Sequence, residues 1–399
     1  MVNESKMNAT ELHSSLSLAL IFFLRMFGLF LILPVFALYA ETLPDATPTL
    51  IGIALGTYGL TQAVFQVPFG MLSDQIGRKK VIVAGLLIFC LGSIIAGASD
   101  SIHMIIVGRA LQGTGAIASA IMALAADLTR SSQRSKAMAL IGISIGAAFA
   151  LSFIIGPLLS PFIGVPGLFY MGAGLAIVAI AVLLLLVPNV ELPVKTGRTH
   201  NVRTSLVAVT ANRKLLLLYV SIFILHMLLM ANFVVIPLTL RDAAGVDAEH
   251  HWHIYLPVLV ISGVLMFPCL MLGEKFRRVN QMFGAAIVLM IIAQYGFMYW
   301  HHTALQIGVV MLFFFLSFNY LEASLPSMIS KSAPPEHKGT ALGIYSTSQF
   351  IGIFTGGAAG GYLYDHTGIN SVFVFGCVMS IIWLLCLILV RNPIKHRQL

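Results

Sequence analysis

Charge is what this sequence has least of. Asp, Glu, Lys and Arg make up 10% of its 399 residues, where a soluble chain carries roughly 25%. The shortage runs the whole length, so the chain is not a soluble domain with one apolar tail. With 58% hydrophobic residues and a mean hydropathy of +0.94, it requires a bilayer as its solvent. Cysteine is scarce as well. Cys90, Cys269, Cys377 and Cys386 all lie in apolar runs without a CxxC pair or metal-ligand spacing, and read as small hydrophobes. HExxH and the phosphate-cradling GxxxxGK[ST] are both missing, which argues against a zinc hydrolase and a nucleotide-driven pump. No enzyme activity and no cofactor are expected. A cleavable signal peptide is not evident either, because the first apolar run, from Leu16, is too long and leads straight into others.

Long apolar runs are what the chain does have. A membrane span needs about 20 mostly apolar residues. On that basis spans are expected near 16–39, 49–72, 80–99, 101–126, 137–162 and 166–188, and again near 215–240, 253–273, 280–300, 303–329, 339–363 and 369–390. The formal charge of +8 is not a nucleic-acid signal, since the basic residues cluster in short loops between runs. Of the 23 Lys and Arg, all but Arg25, Arg109 and Arg241 fall on the side that holds both termini. The opposite loops hold Glu41, Asp45, Asp100, Asp242, Asp247, Glu249 and Asp365. The excess of positive charge on cytoplasmic loops therefore places both termini in the cytoplasm of a bacterial inner membrane.

The chain also repeats itself. Pro68, Met71 and Leu72 recur as Pro268, Met271 and Leu272, with Asp74 falling on Glu274 and Arg78 on Arg278. Lys136, Ala139, Leu140 and Ser144 recur as Lys338, Ala341, Leu342 and Ser346. Both matches fall at equivalent places in the two sets of spans. The expected fold is an all-α membrane protein of twelve spans in two pseudo-symmetric six-helix bundles, residues 1–188 and 215–399, joined by a cytoplasmic linker at 189–214. Parallel repeats enclosing a midplane site are a transporter design, and with the duplication inside one chain a monomer suffices.

Between the second and third spans runs Gly70-Met-Leu-Ser-Asp74-Gln-Ile-Gly77-Arg78-Lys79-Lys80. Its glycines permit a tight turn, Asp74 suits a helix N-terminus, and Arg78 can pair with an acid. An ordinary positive loop needs none of this spacing. It resembles the Gly-x3-Asp-Arg-x-Gly-Arg-Arg/Lys signature of the major facilitator superfamily, with Gln75 standing where that signature has Arg. Gly108-Arg109-Ala-Leu-Gln112-Gly113-Thr-Gly115, ending in Asp127, resembles the fourth-span motif of that superfamily's drug/proton antiporters. Gly156-Pro157 resembles the antiporter helix-packing motif, although Ser152 and Ser160 replace its glycines. Tyr58-Gly-Leu-Thr-Gln-Ala-Val-Phe-Gln66 and Tyr345-Ser-Thr-Ser-Gln-Phe350 are similar to the YajR-like members, whose longer representatives add a soluble C-terminal domain; this chain ends at Leu399, soon after span twelve. The resemblance implies a cytoplasmic gate of Gly70, Asp74, Gly77, Arg78, Lys79 and Asp127, and a cavity lined by spans one, four, seven and ten.

Ionisable residues inside spans form the other constellation, because a charge at mid-bilayer costs roughly 2.5–3.5 kcal/mol on insertion scales. Arg25 lies roughly 14 Å into span one and Glu322 roughly 12 Å into span ten from the same face, counted at about 1.5 Å per residue. A cross-bundle pair is the functional expectation, with protonation of Glu322 releasing it; a static buried pair is the alternative. His226 titrates near neutral pH when unperturbed, or serves as a hydrogen-bonded packing residue. Asn319 shares a helical face with Glu322, Arg109 serves coupling or structure, and Gln62, Gln66 and Gln349 line a polar cavity or bond helix to helix. His250, His251, His253, His301 and His302 suggest a metal site, but no carboxylate or thiol spacing supports one and no metal is expected. The function expected is secondary transport of a small molecule, coupled to protons and directed outward. A uniporter or importing symporter, and a membrane receptor or scaffold that does not translocate, are the alternatives.

Overall fold

The computed structural model describes residues 6–189, 202–276 and 278–391, with the backbone alone at 202–205, 274, 335 and 391. Among them the regular elements are all helical: α1 (Ala9–Phe30), α2 (Phe36–Ala40), α3 (Pro48–Ile76), α4 (Arg78–Gly97), α5 (Ile102–Thr114), α6 (Ala118–Asp127), α7 (Arg134–Leu186), α8 (Val202–Thr210), α9 (Arg213–Asp242), α10 (Trp252–Lys275), α11 (Val279–Tyr299), α12 (Ala304–Ser332), α13 (Lys338–Thr367) and α14 (Ile369–Arg391). Ten stretches are long and apolar enough to cross a membrane. One of them, α7, is two spans, because Gly164 leaves helical geometry at φ 67° between Pro161 and Pro166. Glycine tolerates that backbone where other residues do not. The glycine-rich α13, 30 residues long, completes twelve. Two expected spans are each a pair of helices: α1 with α2, and α5 with α6.

The chain divides into two compact units, residues 1–46 with 57–196, and 47–56 with 197–399. Part of the expected linker, residues 190–201, lies outside the described residues, and α8 falls in its remaining stretch. In the second unit Thr49 donates to Asp365 at 2.6 Å, and the Gly52 backbone lies against Gly357 and Gly361.

The halves share one packing device. In the first unit α1 lies on α7, where a Cβ at Gly156 would meet the Leu31 carbonyl oxygen at 2.3 Å and one at Gly28 the Gly172 Cα at 2.9 Å. In the second unit α9 lies on α13, where Cβ atoms at Gly352 and Gly356 would meet the carbonyls of Phe223 and Met227 at 2.3 and 2.1 Å. Gly156, and Gly352 with Gly356, belong to the fifth span of each half, packed on the first; Gly172, beyond the break at Gly164, belongs to the sixth. In lipid, where apolar side chains gain little by leaving one apolar solvent for another, such backbone-to-backbone approach is what holds helices together. Gly156 thus sits at a close helix contact.

Candidate functional site

In the first unit the pair α5 and α6 breaks at Gly115–Ile117, and a helix break leaves carbonyls without intrahelical partners. Arg25 uses one of them. Its Nη2 donates to the Gly115 carbonyl at 2.9 Å and to Gln62 Oε1 at 2.9 Å, and its guanidinium lies 5.7 Å from the Phe89 ring centroid. The side chain is 1% exposed. Arg25 Nε, Gln62 Nε2 and Gln66 Oε1 are buried without a hydrogen-bond partner among the described residues. Arg109, also buried, donates to Gln112 Oε1 at 2.7 Å and stacks over Tyr58 at 5.4 Å. Gln112 Nε2 in turn donates to Ser93 Oγ, which donates to the Phe89 carbonyl. Ser93 and the Gly115 carbonyl are contributors that sequence alone does not nominate.

At one end of this unit the loop motif closes on itself. Gly77 has φ 108°, a conformation that needs glycine, and it caps α4. Gly70 leaves room for Ser119, whose hydroxyl donates to the Gln66 carbonyl at 2.9 Å. Arg78 pairs with Asp74 one turn earlier and with Asp127 at 3.1 Å, and donates to Ser73 at 2.7 Å. Lys79 donates to the Val187 carbonyl at the end of α7. Asp74, Arg78 and Asp127, from α3, α4 and α6, are therefore together, and Lys79 ties them to a fourth helix, α7. Beside them is a pair that sequence reasoning missed. Glu11, buried, accepts from the Arg130 backbone and guanidinium at 2.8–2.9 Å and completes a capping box with Asn8. The Asn8-x-x-Glu11 spacing is the signal that would have found it.

In the second unit α9, α12 and α13 bring together His226, Glu322 and Gln349. Gln349 Nε2 is 2.8 Å from His226 Nε2 and 3.5 Å from Glu322 Oε1, and His226 Nε2 is 3.8 Å from Glu322 Oε2. His226 Nδ1 lies 3.3 Å from the Ile222 carbonyl. Asn319 turns elsewhere, donating to Ser262 on α10 at 3.1 Å. Tyr345, one turn before Gln349, buries a hydroxyl with no hydrogen-bond partner among the described residues. Arg25 and Glu322, expected to face one another, each find hydrogen-bond partners inside their own unit: Gln62 and the Gly115 carbonyl for Arg25, Gln349 for Glu322. Of the repeated loop motif, the Glu274 side chain lies outside the described residues.

Two of the loop histidines bond to backbone carbonyls near helix ends: His251 Nε2 lies 3.0 Å from the Val246 carbonyl and His301 Nδ1 2.8 Å from that of Phe297. Among the described residues no three His, Cys, Asp or Glu side chains converge as a metal site. Gly142-Ile-Ser144-Ile-Gly146 has the GxSxG spacing of serine hydrolases, but it runs inside α7 and Ser144 donates to the Ile141 carbonyl at 2.7 Å. A nucleophile elbow requires a strand-to-helix turn, so this match carries no hydrolytic chemistry.

Known proteins share this architecture and much of this sequence. The family model described as Major Facilitator Superfamily matches residues 18–321 and 218–399. The inner membrane transport protein YajR of Escherichia coli (strain K12) is 44% identical over 392 residues, covering 98% of this chain and 86% of that protein. Multidrug resistance protein 2 of Bacillus subtilis (strain 168) is 28% identical over 383 residues, covering 91% of each. The crystal structure of a nucleoside transporter, NupG, shares the fold with a TM-score of 0.77 at 15% identity, covering 95% of this chain and 100% of that one.

Proposed function

The chain belongs to the Major Facilitator Superfamily and is a multi-pass transporter of the bacterial inner membrane, not an enzyme; from that premise we propose that it exports a small molecule in exchange for protons, by alternating access. The observation that carries this reading is the His226–Glu322–Gln349 cluster, a carboxylate and an imidazole within 3.8 Å of one another inside a span bundle. An acid kept at that depth costs stability and is retained where it does work. Glu322 is the proton carrier in this reading, with His226 and Gln349 beside it and Asn319 on the same helix. Arg25, Arg109, Gln62 and Gln66 form the polar interior of the other bundle. Gly70, Asp74, Gly77, Arg78, Lys79 and Asp127 are the gate at the cytoplasmic end. Residues 1–188 and 215–399 are the moving bundles, the linker at 189–214 joins them, and the placement of Lys and Arg sets both termini in the cytoplasm. The outward direction is supported by the name of the Bacillus subtilis relative. A monomer carries out the cycle.

The test is transport in proteoliposomes loaded with a pH-sensitive dye, against a mixed panel that includes lipophilic cations. Wild type is expected to show a substrate-dependent pH change that Glu322→Gln abolishes while substrate binding persists. Labelled substrate crossing without any pH change would overturn proton coupling and leave uniport. A pH change of opposite sign would make the protein a symporter.

A further inference from the structure

Hydrogen counting around Gln349 leads further. His226 Nδ1 faces the Ile222 carbonyl at 3.3 Å, so that nitrogen carries the hydrogen in the neutral ring and Nε2 carries the lone pair. The lone pair receives Gln349 Nε2 at 2.8 Å, and the same amide group reaches Glu322 Oε1 at 3.5 Å. Glu322 Oε2 is buried and accepts no hydrogen bond from a described residue. Of three acceptor atoms, two take the hydrogens of the one amide and Glu322 Oε2 is left without a described donor. The place left over lies between His226 Nε2 and Glu322 Oε2, 3.8 Å apart. Around it α9 presents His226, α12 presents Glu322, and α13 presents Tyr345, which is within electrostatic reach of Glu322. From α10 comes the uncharged Ser262, bonded to Asn319, and the Phe318 ring packs on His226 at 5.6 Å.

We propose that His226, Glu322 and Gln349 form a single-proton site in which the Gln349 amide fixes the His226 tautomer and reports occupancy by turning over. With the site empty, the amide NH2 donates to both neighbours. A proton arriving on His226 Nε2 or on a Glu322 oxygen converts that acceptor into a donor, and the amide rotates to offer Oε1 to it. The proton is the one species gained and no covalent bond between heavy atoms changes; it neutralises the Glu322 charge within the site, so a second proton would leave a net charge inside the span bundle. Gln349 is a positioning residue here. The inference rests on the proton-coupled reading for its part in transport, whereas the tautomer is measurable without transport.

The experiment is NMR of protein carrying imidazole-15N histidine in lipid nanodiscs, with His226 assigned by difference from His226→Gln. At alkaline pH the wild type is expected to show His226 protonated at Nδ1 alone, and Gln349→Leu to show a mixture of both tautomers. Gln349→Asn, which keeps the amide but shortens its reach, is expected to fall between them. An Nε2-protonated ring in wild type, or an unchanged tautomer in Gln349→Leu, would overturn the proposal. A fixed tautomer together with uncoupled transport in liposomes would uphold the site and defeat the antiport reading, so the two failures are distinguishable.

Discussion

The two units hide their polar groups in opposite ways. The first buries Arg25 and Arg109, each 1% exposed, against a carbonyl, amide oxygens and ring faces. Their hydrogens go to acceptors set by the backbone and by neighbouring amides within the same unit. The second unit gathers a buried imidazole and a carboxylate that is 37% exposed around an amide with fewer hydrogens than the acceptors facing it. In the proposed proton-coupled cycle this contrast is a division of labour: the first half holds its fixed hydrogen bonds, and the second is the half that takes up the proton.

Exchanging the consequences of the two sites breaks that comparison most sharply. Glu322→Gln is expected to abolish substrate-driven proton flux in liposomes while leaving thermal unfolding in detergent close to wild type, because the amide fills the place of an acid that lacks a full set of donors. Arg25→Leu is expected to do the reverse on stability. It strips the donor from the Gly115 carbonyl and from Gln62 Oε1, and an orphaned buried acceptor costs about 1–3 kcal/mol. A clear fall in the unfolding midpoint is the expected readout. A Glu322→Gln protein that unfolds early, or an Arg25→Leu protein as stable as wild type, would erase the distinction between the halves.

Packing is where the halves agree, and it yields a third, smaller effect. Alanine at Gly156 or at Gly356 places a methyl group against a backbone carbonyl, of Leu31 or Met227, which cannot swing aside. Overpacking of this kind costs about 1–3 kcal/mol. Both variants are expected to lower the unfolding midpoint by comparable amounts, whereas alanine at Gly142, which has open space around it, is expected to leave the midpoint unchanged. A large difference between Gly156→Ala and Gly356→Ala would show that the repeated sequence no longer packs as a repeat.

Much of this was legible beforehand because bilayers impose strong rules. Apolar run length gave the twelve spans, and the break at Gly164 falls between the expected fifth and sixth. The Asp74–Arg78–Asp127 cluster was legible through the resemblance to the superfamily's loop and fourth-span motifs. The split of two spans into α1 with α2, and α5 with α6, was not, since hydropathy is blind to one freed carbonyl inside an apolar run. Hence Arg25 could be chosen as a buried charge, while its acceptor, Gly115, could not: a backbone oxygen has no letter in the sequence. Asn319 illustrates the opposite error. Helical spacing puts it near Glu322, yet its amide finds Ser262 on a neighbouring helix. Side-chain direction depends on what the adjacent helix offers, which one chain's periodicity does not encode.

The smallest expected effect concerns the loop motif, and its size is itself informative. Arg78 is 16% exposed, Asp127 23% and Asp74 55%, so water screens these pairs in a way that the buried Arg25 and Arg109 escape. Ion pairs of that kind contribute about 0.2–1 kcal/mol. A double-mutant cycle of Arg78→Gln with Asp127→Asn is expected to give a coupling energy inside that range by thermal unfolding, and the same cycle with Asp74→Asn a lower one. Transport is the more sensitive readout, because a contact that opens and closes in each cycle shifts a rate through even a small energy. The expected pattern is a change in transport rate at nearly unchanged stability. Stability lost in step with transport would instead place Arg78 with Arg25, as fixed scaffolding rather than a moving latch.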